Sequence, residues 1–301
     1  MSIDVTQDVC GVTNGWESRP AEPEGVVHVQ HRSYVALGDS FTEGLDDFAG
    51  DGRPRGWADR VAETLADRYP GFGYANLAVR GKVLDQIVAD QVPVAEAMRP
   101  DLITFCAGGN DIIGWVCDTD DLAARFDAAL ARLVATGAEV LILTGFDLRR
   151  MHPLIRRLRG RIACYNELMR ASAERHGCRV VDLWAMNALA DPRAWGPDRL
   201  HLVPHAHERV AWRVLEALGE PSGDWRAPWP EPDDGPAPWR ARQLEDLRWV
   251  THHVMPYVRR RLRGARTGEE HRPKRPTLSP PYGAATAATP ARRTGTGAAV
   301  N

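Results

Sequence analysis

A serine in Gly38-Asp39-Ser40-Phe41-Thr42-Glu43-Gly44 and a histidine in Asp198-Arg199-Leu200-His201 have types and spacing that could act together. A serine hydroxyl is a poor nucleophile until a base takes its proton, so it needs an imidazole and a group to orient that imidazole. Asp198, three residues before His201, can accept from one ring nitrogen while the other faces Ser40. It would set the tautomer and stabilise the imidazolium. The chemistry would be acyl transfer, which also needs donors for an oxyanion. Gly81 and Asn110 follow two further apolar runs and offer them, with the Ser40 amide as a third. A glycine amide is unobstructed, and an Asn carboxamide is a neutral donor that deprotonation cannot remove.

These residues must be carried to one place. Ser33 to Gly38 (SYVALG), Tyr74 to Val79, Leu102 to Ala107, Glu139 to Thr144 and Arg179 to Leu183 read as five strands. Between them lie helical patterns: Trp57, Val61 and Leu65; a weaker one through Ile87 to Pro100; Phe126, Leu130 and Leu133, entered through Asp118 or Asp120; and an Arg-rich stretch from Leu154 to His176. A last core helix spans about Pro204 to Leu218. Apolar strands separated by helices predict a parallel sheet covered on both faces, with the strand C-termini and their functional loops along one edge.

GDSFTEG, NLAVRGK (Asn76 to Lys82), AGGND (Ala107 to Asp111) and DRLHL (Asp198 to Leu202) resemble, in order, the four motif blocks of the SGNH (GDSL-like) hydrolase superfamily. The likeness covers about Ser33 to Leu218 and is of the bacterial type with a Trp- and Arg-rich C-terminal extension. It implies a flavodoxin-like three-layer α/β/α sandwich, hydrolysis of esters or thioesters without a cofactor, Ser40 as nucleophile, His201 as base, Asp198 as its partner, and Ser40, Gly81 and Asn110 as the oxyanion hole. Many members read Asp-x-x-His-Pro; here Leu202 follows His201 and the proline is delayed to Pro204, a position tolerated at a helix start.

Each residue also has a structural reading. Asp39 and Asp111 are expected to cap turns. Trp115 and Trp195 are candidates for the substrate pocket, though tryptophans fill cores anywhere. Cys106, in an apolar run, is expected to be an inert small hydrophobe. His201, His205 and His207 lie close together, but without an HExxH pattern no metal is expected. Around Ser40 the second glycine of the α/β-hydrolase G-x-S-x-G motif is missing, which disfavours that fold.

A net charge of −2 over 301 residues favours neither nucleic acid nor an anionic membrane, and all but Lys82 and Lys274 of the 38 basic residues are arginine. A small-molecule ester substrate and a monomer are the expectation. Met1 to Val9 has no signal-like apolar run and no stretch is long enough to insert stably in a bilayer, so a cytoplasmic protein with five reduced cysteines is expected. Four segments are predicted: an N-terminal extension (1–32), the hydrolase domain (33–218), an appendage with tryptophans among prolines and a helix from Arg240 to Arg263 (219–264), and a disordered tail (265–301) with almost no large apolar residue. The same constellation would serve a thioesterase or a carbohydrate O-deacetylase. A non-catalytic binding module is the alternative of another class.

Overall fold

A computed structural model describes residues 30–114, 117–230, 239–256 and 270–281. Five strands, β1 (Ser33–Leu37), β2 (Gly73–Asn76), β3 (Leu102–Phe105), β4 (Glu139–Leu143) and β5 (Arg179–Val181), are all parallel. A sixth, β6 (Arg275–Ser279), runs antiparallel to β2, and the order across the sheet is β5-β4-β3-β1-β2-β6. The five expected parallel strands are therefore present, with one antiparallel edge strand added.

The strands are apolar on both faces because helices cover both; every residue of β3 is buried. The helices are α1 (Ser40–Glu43), α2 (Gly56–Arg68), α3 (Leu84–Asp90), α4 (Val92–Met98), α5 (Gly109–Ile112), α6 (Thr119–Val134), α7 (Pro153–Arg156), α8 (Arg159–His176), α9 (Pro204–Leu218) and α10 (Trp239–Trp249). Helix α2 packs on α9, while α6 packs on α3, α4 and α8. Phe126, Leu130 and Leu133 present one buried stripe from α6, whose start is capped by Asp118 accepting from the amides of Asp120 and Asp121 at 2.9 and 3.2 Å. The Arg-rich stretch is two helices, α7 and α8, rather than one. Pro204 is the first residue of α9, so the delayed proline starts that helix.

The expectation of disorder over 265–301 needs correction for residues 270–281, which are placed against the domain; the rest of that tail, like residues 1–29, lies outside the described residues. Little apolar area holds β6. Backbone pairing to β2 and a buried ion pair of Lys274 with Asp59 do so, helped by Leu278 against the core and Arg275 5.5 Å above the Tyr74 ring. Pro276 is tolerated because β6 is an edge strand.

The appendage packs through its tryptophans. Trp225 lies between Arg213 and Arg226, at 5.1 and 4.0 Å from its ring, and Trp229 stacks on Arg209 at 4.7 Å while donating from Nε1 to the Ala188 carbonyl at 2.8 Å. The helix expected from Arg240 to Arg263 is present as α10, prolonged by a π-helical turn at Val250–Val254; residues 257–269 lie outside the described ones.

Candidate active site

In the order β3-β1-β2, strand β1 lies between the strands that precede Asn110 and Gly81, where the winding of the sheet reverses. Loops leaving adjacent parallel strands on either side of such a point diverge and leave a crevice at their C-terminal edge. Ser40 opens α1 immediately beyond β1. As a first helical residue its amide has no intrahelical acceptor. The turn is tight: a Cβ on Gly38 would lie 2.5 Å from Thr42 Oγ1 and 2.8 Å from the Cys106 carbonyl oxygen.

Asn110 ties the three loops together, donating from Nδ2 to Asp39 Oδ2 at 3.1 Å and to the Lys82 carbonyl at 3.0 Å. Asp39 Oδ1 accepts from the Phe41 amide at 3.1 Å, and Asp111 Oδ2 accepts from the Leu84 amide at 2.9 Å. Both acids therefore do structural work. Burial pushes the Asp39 carboxyl up to about 6. Gly81 has φ 77, a left-handed conformation that an L side chain would strain.

Asp198 and His201 lie in the segment between β5 and α9. Asp198 Oδ2 accepts from His201 Nδ1 at 2.6 Å, while its Oδ1 accepts from the amides of Leu200 and His201 at 2.9 and 3.1 Å. Burial alone would raise the Asp198 carboxyl, but the His201 hydrogen bond and charge overcome it and hold it near 2. Burial would lower the imidazole; the Asp198 bond and charge, with Asp46 and Asp39, outweigh it and leave His201 above its ordinary value. The charges of Asp39 and His201 also act on one another, Asp39 raising the imidazole and His201 lowering the carboxyl. With Nδ1 committed to Asp198, no described residue hydrogen-bonds His201 Nε2.

Trp195 is buried, donates from Nε1 to the Leu189 carbonyl at 2.9 Å, and meets Phe146 edge-on at 5.1 Å; Phe146 in turn meets Phe41 at 5.1 Å. It also pairs by backbone with Leu202, next to His201, while the rings of Phe146 and Phe41, both partly exposed, lead from it toward the Ser40 turn. Trp115 lies outside the described residues. The three clustered histidines separate: His205 is exposed, and His207 is buried, its Nδ1 accepting from the Trp57 amide and its Nε2 donating to the Leu45 carbonyl. Cys106 sits just past β3, and burial pushes its thiol well up.

Several supporting residues escaped the sequence reading. Glu43 accepts from the Arg80 amide at 2.7 Å and from its guanidinium at 2.5 Å, so α1 holds the loop that carries Gly81. Gln91 bonds both the amide and the carbonyl of Gly38, at 2.9 and 2.8 Å. Asn76 donates to the Thr42 carbonyl at 2.9 Å. Asp46, with φ 65, places a carboxylate within 4.8 Å of ligand atoms of Asp198 and His201 and against Gly196, the single such cluster among the described residues. The placement of Glu43 within the GDSFTEG block and of Arg80 within NLAVRGK was their one sequence signal.

Solved structures with the same fold include the enzyme LAE5 from the metagenome of Lake Arreo, Spain (24% identity, 62% of this chain and 95% of that one, TM-score 0.53) and TesA (22%, 62% and 97%, TM-score 0.51). A catalytic mutant of Axe2, an acetylxylan esterase from Geobacillus stearothermophilus, is also similar (18%, 66% and 97%, TM-score 0.52). No curated protein sequence matches significantly. Among the described residues no helix is long and apolar enough to cross a membrane. The GDSL-like lipase/acylhydrolase family matches residues 36–209, more than half of the chain. The chain belongs to that family and is a hydrolase acting on ester bonds.

Proposed function

We propose that this chain is a serine esterase that hydrolyses a small carboxylic ester through an acyl-enzyme. The observation that supports it most is the 2.6 Å bond between Asp198 and His201 Nδ1, made in a turn electrostatically coupled to the Ser40 loop. The bond selects the tautomer with a bare Nε2. That nitrogen takes the Ser40 proton as Oγ attacks the acyl carbonyl, and returns it to the departing alcohol. Water then enters the same geometry, loses its proton to His201 and releases the acid. The Ser40 amide, Gly81 amide and Asn110 carboxamide receive the oxyanion in each half-reaction. In the resting site both Asn110 amide hydrogens are engaged, by Asp39 and by Lys82. An incoming oxyanion would take the hydrogen now directed at Asp39.

The similarity to an acetylxylan esterase keeps a carbohydrate O-deacetylase as the second reading, and the same acyl-transfer constellation would serve a thioester. The test is hydrolysis of nitrophenyl acetate, butyrate, octanoate and palmitate, acyl-CoA thioesters and acetylated xylo-oligosaccharide by wild type and Ser40→Ala. Activity lost in Ser40→Ala, with labelling of wild type alone by a fluorophosphonate, supports the esterase and ranks its substrates. Equal signals in both proteins, or no labelling and no turnover, favour a binding module instead.

A further inference from the structure

The turn that pairs Asp198 with His201 passes through Arg199 at φ 57, a left-handed conformation disfavoured for any residue with a side chain. Such a conformation persists only where the surroundings over-determine it. Part of the restraint is local, since the Arg199 amide donates to the Gly196 carbonyl at 2.9 Å. The rest comes from α10, which lies beyond residues 36–209. Trp249 Nε1 donates to the Asp198 carbonyl at 2.7 Å. The Arg199 guanidinium lies 5.0 Å from the Trp249 ring centre and pairs with Asp246 at 2.6 Å. His152 closes the group, its ring 5.0 Å from that of Trp249.

Helix α10 is otherwise loosely seated. Trp249 is 6% exposed, whereas Leu244 and Leu247 are 56% and 63% exposed. The anchored part of the helix is the part that grips the turn. We infer that Trp249 and Asp246 are positioning residues, which hold Arg199 left-handed and thereby keep the Asp198 carboxylate on His201 Nδ1. The inference rests on the proposed roles of those two residues and deepens them, making the C-terminal extension part of the catalytic apparatus.

The charged groups facing His201 are Asp198 of its own turn, Asp46 of the loop beyond α1 and Asp39 before α1, with His253 of the π-turn acting on Asp46. Removing Trp249 changes none of these charges, only the geometry that presents one of them.

The experiment uses the full chain. Trp249→Ala, Trp249→Phe and Asp246→Asn are compared with wild type in kcat, KM, thermal melting and the low-field proton resonance of His201 Nδ1–H. Trp249→Ala is expected to lower kcat about 10-fold or more with KM within about 2-fold, and to weaken the resonance. Adding Arg199→Gly should restore most of both, because glycine adopts this φ unaided. The inference is overturned if folded Trp249→Ala keeps wild-type kcat and resonance, or if the double variant recovers neither. Should Trp249→Ala fail to fold, Trp249→Phe and Asp246→Asn carry the same comparison. If Ser40→Ala retains turnover, the esterase reading fails by itself, and the resonance still decides the role of Trp249.

Discussion

Glu43 accepts from both the backbone amide and the guanidinium of Arg80, so the helix that begins with Ser40 is tied to the loop that carries Gly81. Glu43 is 5% exposed, which makes its charge costly to leave unpaired and its loss costly to Arg80. Glu43→Gln is expected to destabilise the protein by roughly 1–3 kcal/mol and to lower kcat more than it raises KM, because the loop carrying Gly81, the proposed oxyanion donor, shifts. Urea unfolding and steady-state kinetics on the Ser40-dependent substrate check both.

On the proposed mechanism, losing the Asn110 carboxamide should lower kcat far more than it raises KM, with some loss of stability from its bonds to Asp39 and Lys82. Asn110→Ala is expected to reduce kcat by roughly 10²–10³-fold. Asp198→Asn should cost about 10³–10⁴-fold, since the amide favours the wrong tautomer of His201. Equal kcat in wild type and Asn110→Ala would remove this residue from the oxyanion hole.

The activity profile should rise with pH as His201 becomes neutral, with its midpoint above the ordinary 6.5, because the Asp198 bond and charge, with Asp46 and Asp39, overcome burial. Asp46→Asn removes one of those charges and should move the midpoint to lower pH. As a stability contribution, the raised His201 favours the fold fully below 6.5 and loses that contribution as pH climbs through its folded value. Asp198 contributes above its ordinary 3.8 and loses that contribution as pH falls toward about 2.

His207 behaves oppositely. Burial pushes it down to about 4 from 6.5, so the fold favours its neutral form and loses stability as pH falls from 6.5 to 4. The loss is on the order of 3 kcal/mol. Asp39 and Asp59, both raised to about 6 by burial, act with the other sign in that window. The comparison is therefore wild type against His207→Gln, whose stability difference should shrink between pH 7 and pH 4; an NMR titration of His207 near 6.5 would contradict this.

Lys274 reaches the Glu43, Pro54 and Arg55 carbonyls and the Asp59 carboxylate, which burial isolates from water. Lys274→Met should cost about 3–5 kcal/mol by leaving Asp59 unpaired, and the double variant Lys274→Met/Asp59→Asn should recover part of it. Guanidinium melts of the single and double variants measure the coupling.

The local order of the chain determined the alternation of apolar strands and amphipathic helices, and with it the parallel sheet and the edge at which Ser40, Gly81 and Asn110 emerge. It also determined the Asp198–His201 pair, because three residues of separation allow one turn to close the bond. What folding alone decided joins residues far apart in the chain. The pairing of β6 with β2 was hidden because that strand is held by backbone bonds and one ion pair, which leave no apolar period to read. The carboxylate of Asp46 beside His201 and the grip of Trp249 on Asp198 depend on how loops from opposite ends of the chain meet, and a hydrogen bond across 51 residues has no periodic trace in the sequence.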